Sequence, residues 1–488
     1  MNSFQNQFNS YGIKIAVLYS LVWFIDLLDG SMLNVALPTI AQAFSIDVTN
    51  AEWTIIGFLL ALTIAIPISS WIGELYGLRN IFLLGQLVYL VASLACGFAF
   101  SVTQLILFRI IQGAAGGLLI PIGMTLLIHS IPKYQWSSIT SRMNLVTLIA
   151  PAVGPLLAGY IINLLGWRWL FFSKIPLSFI CLLLSYKWVK ESNASKKIRT
   201  FDWVGFILLT SSLITLFLGL SEIGKTTISF YTIELLIVIS ILAAIFFIYN
   251  ECITKHPMLS LSVFKYDLFT VGNIIQCSAN IIFLGATFIT GLYLQDVLHI
   301  NIVTVGWILS AITPGMICVM PLVSRYYNRF GPLPFIIPGL LGMAISMVGL
   351  TFVTAQTSAL IIALLIFLEG ASSAIIQTPN VIAIFSEIPA HLKSDGSAIY
   401  ALGKQLSATM GVALSTMIIS IGMHYYGIEN LQELSRMSMA HIFHYVFYML
   451  GFIPLITILL CYWYDNKKAL QFVQKKDHVE SESELETE

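Results

Sequence analysis

LYSLVWFIDLLDGSMLNVALP, residues 18–38, is apolar enough to cross a bilayer as a helix, yet it carries two carboxylates, Asp26 and Asp29. An α-helix needs about 20 consecutive apolar residues to span the hydrocarbon core. An ionisable group near the middle of such a helix costs about 2.5–3.5 kcal/mol on insertion scales, so it is tolerated where it faces a partner or a wet pathway. Arg109 lies inside a second such stretch and raises the same question. A buried ion pair that only locks helices together is the structural alternative to a functional role.

Working outward, similar apolar runs recur along the chain. Hydrophobic residues make up 58% of the 488, charged residues only 10%, and the mean hydropathy is +0.87. These values exclude an ordinary soluble globule and define an all-α integral membrane protein. Fourteen spans are expected between residues 14 and 464, among them 14–38, 103–128, 139–164 and 358–386. Lys and Arg are retained on the cytoplasmic side during insertion. With fourteen spans and a cytoplasmic N-terminus, nineteen of the 24 fall inside, Arg168, Lys174, Lys225 and Arg436 fall outside, and Arg109 lies in the membrane. Both termini are therefore expected in the cytoplasm, and the first span is expected to act as an uncleaved anchor. The six cysteines show no CxxC pair and read as apolar fillers.

The expected organisation is 6 + 2 + 6. Residues 1–190 form a six-helix half, 191–255 a basic loop and two-helix insertion, 256–466 a second half, and 467–488 an acidic, solvated tail. Trp53, Pro67, Ser70, Tyr76 and Gly77 have counterparts 254 residues later in Trp307, Pro321, Ser324, Phe330 and Gly331. Duplicated helical units of this kind are a hallmark of secondary transporters, whose sites lie near the bilayer midplane.

Asp26 and Asp29 lie about 300° apart around a helix and share a face, with Asn34 further along. Two carboxylates this close resist double ionisation, which suits a reversible proton carrier. Arg109 keeps its charge, so a carboxylate that pairs with it and is then released makes a switchable element. Gln112 follows Arg109, and the fifth span holds Gly154, Pro155 and Gly159, small residues and a proline that allow close approach and bending. Glu369, Gln377 and Asn380 on the twelfth span, with Asn34 and Gln112, are candidates to contact a substrate. His441 and His444 are spaced i, i+3, which is too little to define a metal site.

Four segments carry a family resemblance: LDGSMLNVALP (28–38), FRIIQG (108–113), APAVGPLLAG (150–159) and GWRWLFF (166–172). They resemble the helix 1, 4, 5 and 6 motifs of the fourteen-helix drug:proton antiporters of the major facilitator superfamily, the EmrB/QacA type. The likeness runs over about residues 14–464. It implies export of a small molecule driven by inward proton flow, with Asp29 and Arg109 as the family's acid and arginine. Gly154, Pro155 and Gly159 are implied as a conformational hinge, and Glu74, Gly77 and Arg79 as a cytoplasmic gate. In that gate segment, SWIGELYGLRN (70–80), Leu75 and Asn80 stand where the family carries basic residues. Asp26 lies outside the family pattern and reads as a second proton site, a substrate determinant or a structural residue.

The partners expected are a small-molecule substrate, protons and membrane lipid, with no nucleic acid and no cofactor, and with room for a periplasmic adaptor. The competing transport reading is a dedicated exporter of one metabolite, such as a siderophore. An enzyme is disfavoured because the chain lacks HExxH, Walker A and GxSxG constellations. A non-transporting membrane protein is disfavoured by charge dispersed over three spans.

Overall fold

The computed structural model describes residues 2–130, 136–190, 201–223, 229–254, 257–389, 392–426, 436–466 and 468. The expected basic loop at 191–200 and nearly all of the acidic tail lie outside the described residues. Every described element is helical. In order they are α1 (Asn2–Phe44), α2 (Val48–Ala51), α3 (Trp53–Tyr76), α4 (Leu78–Gly97), α5 (Val102–Ser130) and α6 (Trp136–Leu165). There follow α7 (Trp169–Ser173), α8 (Ile175–Trp188), α9 (Trp203–Glu222), α10 (Phe230–Ile253), α11 (Asp267–Leu292) and α12 (Ile302–Ser310). The last are α13 (Ile312–Phe330), α14 (Leu333–Thr351), α15 (Ala359–Ser386), α16 (Lys393–Tyr425) and α17 (Arg436–Leu460). Twelve described stretches are long and apolar enough to cross a membrane, and α3 and α6 contribute the shorter apolar stretches Trp53–Ser69 and Ile149–Leu165.

Two of the expected spans are broken where proline removes a backbone donor and crowds the carbonyl four residues earlier. Pro176 follows the break between α7 and α8, leaving Lys174 as the N-cap of α8. Pro314 follows the break between α12 and α13.

The chain divides into two compact units. The first comprises Met1–Met258, Gly291–Ser310 and Ile419–Arg436. Here α3 packs on α5, α1 on α6, α4 on α5, and α12 on α6. A buried cluster from α1, α3, α4, α5 and α8, including Leu18, Phe58, Phe82, Leu119 and Cys181, forms its core. The pair α9 and α10 is joined by reciprocal bonds, Ser212 Oγ donating to the Ser240 carbonyl at 3.0 Å and Ser240 Oγ to the Ser212 carbonyl at 2.9 Å. It meets α3 through Trp71, whose ring lies 5.2 Å from Phe201 and 5.6 Å from Trp203.

The second unit comprises Leu259–Thr290, Ala311–Ile418 and Met437–Glu488. Here α13 packs on α15 and α14 on α15. Glu387 accepts the backbone N–H of Leu268 and pairs with Lys468, which follows the last helix; that hydrogen bond holds the Lys468 ammonium above its ordinary value.

The 254-residue offset has a structural counterpart in a pair of turns and, with the two crossing glycines 257 residues apart, in a pair of helix crossings. Gly77 and Gly331 close α3 and α13 at φ values of +87° and +74°, a region that glycine enters without strain. Gly113 of α5 abuts the carbonyl of Phe58, and Gly370 of α15 abuts the carbonyl of Ile312, the residue 254 positions after Phe58. A Cβ at Gly370 would lie 2.7 Å from the Ile312 carbonyl carbon. Gly370→Ala is therefore expected to destabilise the protein by about 1–3 kcal/mol. Gly30→Ala is expected to be neutral, because nothing lies within 4 Å of its Cβ position. Thermal unfolding of the two variants in detergent checks the contrast.

Candidate functional site

Asp29 is buried on α1 at the meeting of five elements of the first unit. Arg109 of α5 donates Nη1–H to Asp29 Oδ2 at 2.5 Å and to Gln112 Oε1 at 2.9 Å, and its Nε–H to the Thr54 carbonyl at 3.0 Å. The guanidinium stacks over Phe58 at 4.1 Å from the ring centre. Lys174 donates to the other oxygen, Asp29 Oδ1, and its ammonium lies 5.0 Å from the Phe171 ring centre. Tyr89 of α4 donates its hydroxyl to Asp29 Oδ2 at 3.4 Å. Asp29, Arg109 and Lys174 are each no more than 2% exposed.

Three charges so deeply buried are costly unless they neutralise one another and satisfy their remaining donors and acceptors. Here the Arg109 fork reaches a carboxylate, an amide oxygen and a backbone carbonyl, which a lysine's point charge cannot match. Asp26 lies one helical turn from Asp29 and makes the set two acids and two bases. Its Oδ1 is buried and has no hydrogen-bond partner among the described residues.

The structure thus brings together Asp26, Asp29, Arg109 and Gln112, all expected from sequence. Lys174, counted on the outer side from the sequence, is instead buried at the break before α8, where it completes the ion cluster with Asp29. The signal is legible: like Arg109, Lys174 interrupts an apolar run, Trp169–Trp188. Tyr89, Thr54 and Phe58 also belong to the cluster, and as uncharged residues they carry no comparable mark in the sequence.

Other expected residues fall elsewhere. Asn34 is buried further along α1, and its carbonyl lies 3.4 Å from the Cβ position of Gly291. On α6, Gly154 meets the Ser31 side chain, Gly159 meets the backbone of Ile302 and Val303, and the Pro155 carbonyl abuts Gly306 of α12. Arg79 donates to the Tyr186 carbonyl at 3.1 Å, which ties the α4 start to the end of α8. Gly77 caps α3, and the Glu74 side chain lies outside the described residues.

Glu369, Gln377 and Asn380 belong to the second unit. Gln377 donates to Ser373 Oγ at 2.7 Å, and Asn380 to the Gly272 carbonyl at 2.9 Å. Glu369 is fully buried, and neither carboxylate oxygen has a hydrogen-bond partner among the described residues. It precedes Gly370 as Gln112 precedes Gly113, so the two helix crossings place a polar side chain at matching positions. His441 and His444 stand with ring centres 6.4 Å apart, and no group of three or more metal-ligating side chains occurs among the described residues.

The Major Facilitator Superfamily profile matches residues 19–411, and again 274–484. The multidrug export protein EmrB of Haemophilus influenzae is 28% identical over 410 residues, 83% of this chain and 80% of that protein. The lincomycin resistance protein LmrB of Listeria monocytogenes is 27% identical over 416 residues, 85% of this chain and 88% of that protein. Among solved structures, a D-xylose–proton symporter superposes with a TM-score of 0.64 at 15% identity, covering 94% of this chain and 99% of that one. An autoinhibited peptide transporter of the POT family gives 0.65 at 11% identity, covering 92% and 97%. The chain belongs to the major facilitator superfamily, and within it to the EmrB/QacA-type branch. It is an integral protein of the bacterial cytoplasmic membrane and a carrier of small molecules rather than an enzyme.

Proposed function

We propose that this carrier exports drugs or other amphiphilic small molecules in exchange for protons, by alternating access. The observation that supports this most is Asp29, buried between Arg109 and Lys174. While Asp29 is ionised, it holds both cations. A proton on Asp29 removes the counter-charge and leaves two buried cations facing each other, which favours rearrangement of the helices that carry them. Substrate and proton then compete for one charge-balanced cluster, as exchange requires.

In this reading the chain has fourteen spans in a 6 + 2 + 6 order, divided at residues 190, 255 and 466, with both termini in the cytoplasm. Transferring Lys174 to the membrane interior leaves only Arg168, Lys225 and Arg436 outside, which sharpens the charge asymmetry. Asp29, Asp26 and Arg109 couple to protons. Glu369, Asn34, Gln112, Gln377 and Asn380 contribute to substrate recognition, Gly154, Pro155 and Gly159 to the conformational change, and Glu74, Gly77 and Arg79 to the cytoplasmic gate.

Exchange is tested in inside-out vesicles carrying an imposed pH gradient, acid inside. Adding ethidium or tetraphenylphosphonium is expected to discharge the gradient in vesicles that contain the protein and not in controls. Substrate accumulation that follows a sodium gradient and leaves the pH gradient intact would contradict proton exchange. Glu369→Gln keeps the shape while removing a buried charge. It is expected to leave thermal stability equal or higher and to lower cation export at least tenfold.

A further inference from the structure

Asp29 is sealed from solvent at 2% exposure, so a proton that leaves it needs a path through the protein. Arg109 and Lys174 only donate to Asp29 and have no lone pair to receive that proton. Tyr89 can receive it: its hydroxyl lies 3.4 Å from Asp29 Oδ2, and a phenol both donates and accepts. Tyr89 also borders a small cavity of the first unit, about 20 Å³ in volume, which is room for a single water. The wall of that cavity includes Asp26, Gln86 and Ser178.

Asp26 Oδ1, Gln86 Nε2 and Ser178 Oγ are buried and have no hydrogen-bond partner among the described residues. Polar groups gathered round a space of this size meet the needs of an ordered water, which makes about three hydrogen bonds when buried. Gln86 Oε1 lies 2.9 Å from Ser185 Oγ, which also reaches the Cys181 carbonyl at 2.7 Å. Either end of the Gln86 amide can therefore face the cavity, and a water serves both because it donates and accepts. Gly116 of α5 keeps the space open. A Cβ there would lie 3.2 Å from Asp26 Oδ1 and 3.9 Å from Tyr89 Cε2, the ring carbon next to the one that bears the hydroxyl. Asp26 itself is half-buried and is the more accessible of the two acids.

We infer that a proton released by Asp29 passes through the Tyr89 hydroxyl and one ordered water to Asp26. Protonated Asp29 donates from Oδ2 to the Tyr89 oxygen, the Tyr89 hydroxyl gives its own hydrogen to the water, and the water gives one of its hydrogens to Asp26 Oδ1. Each O–H bond broken is matched by one formed. Tyr89 and the water end neutral, and one proton has moved between the acids. Tyr89 is left donating to Asp29 Oδ2, which is the hydrogen bond in the structure. The transfer runs in this direction because ionised Asp29 again pairs with Arg109 and Lys174, one at each oxygen. Tyr89 passes the proton, and Gln86 and Ser178 are positioning residues that hold the water. That Asp29 carries the coupling proton rests on the transport reading above; the water held at Asp26 does not.

Two measurements test these parts separately. Infrared spectroscopy of the purified full-length protein in detergent, as the pH is lowered from neutrality, reads the carbonyl stretch of protonated Asp26, assigned by its loss in Asp26→Asn. In Gln86→Leu/Ser178→Ala that stretch is expected to rise in frequency, because the acid loses the water it bonds. No stretch that depends on Asp26, or one unmoved in the folded double variant, would overturn the relay. In proteoliposomes, accumulation of radiolabelled tetraphenylphosphonium under a pH gradient requires net proton transfer, whereas exchange of labelled for unlabelled probe at equal pH does not. Tyr89→Phe, which keeps the ring, and Gln86→Leu/Ser178→Ala are each expected to lower driven accumulation at least tenfold. The double variant should keep exchange within twofold of wild type. Thermal unfolding establishes that each variant is folded. Driven and exchange fluxes that fall together in the double variant, or driven flux that survives in Tyr89→Phe, would overturn the relay while leaving proton exchange intact. Wild type that exchanges the probe but does not respond to the gradient would count against the transport reading and overturn the relay with it, and a surviving infrared shift would then mark the water as structural.

Discussion

Asp29→Asn is expected to cost about 3–5 kcal/mol of stability, the usual penalty for removing one partner of a buried ion pair, and to abolish gradient-driven export. The asparagine fits the same space, so the loss is electrostatic. Arg109 and Lys174 both bind this one carboxylate, one at each oxygen, and without it two cations remain buried against each other. Adding Lys174→Met removes one of them while keeping an unbranched apolar stem beside Phe171. The double variant Asp29→Asn/Lys174→Met should recover most of the lost stability and none of the export. Thermal unfolding in detergent, read alongside transport, separates the two effects. A double variant no more stable than Asp29→Asn would show that Lys174 is not part of the balance.

Arg109→Lys is the second large effect expected, a loss of export of at least a hundredfold although the charge is conserved. Arg109 uses its fork to reach Asp29 and Gln112 while its Nε–H holds the Thr54 carbonyl of α3. A lysine ammonium keeps at most one of these directions, and it loses the planar stacking over Phe58. The variant should still accumulate in the membrane, because the charge balance of the cluster is unchanged. Export comparable to wild type would reduce Arg109 to a counter-charge whose geometry does not matter.

The ion cluster was half legible in the sequence, and the reason is physical. Asp29 and Arg109 stand out because each interrupts a run of apolar residues, and such interruptions are costly enough to need a cause. Helical periodicity gives the face that a residue occupies, but not which helix packs against that face. The Asp29–Arg109 contact, 80 residues apart in sequence, therefore becomes visible only in the fold. Lys174 shows the opposite failure. The count of positive residues assigns it to the outer side, whereas in the fold it is buried against Asp29 at a helix break that hydropathy does not encode. The repeat was legible from five matched positions. The structure adds a reason for one pair, since Gly77 and Gly331 both occupy positive φ at the end of a proline-containing helix.

The most direct test of the central claim is accumulation of tetraphenylphosphonium by inside-out vesicles under an imposed pH gradient, comparing wild type with Asp29→Asn/Lys174→Met at equal protein in the membrane. Wild type is expected to show gradient-dependent accumulation that collapses on addition of a protonophore, and the variant no accumulation above empty vesicles. Accumulation in the variant at the wild-type rate and with the same dependence on the gradient would contradict it, and would place the coupling carboxylate elsewhere than Asp29.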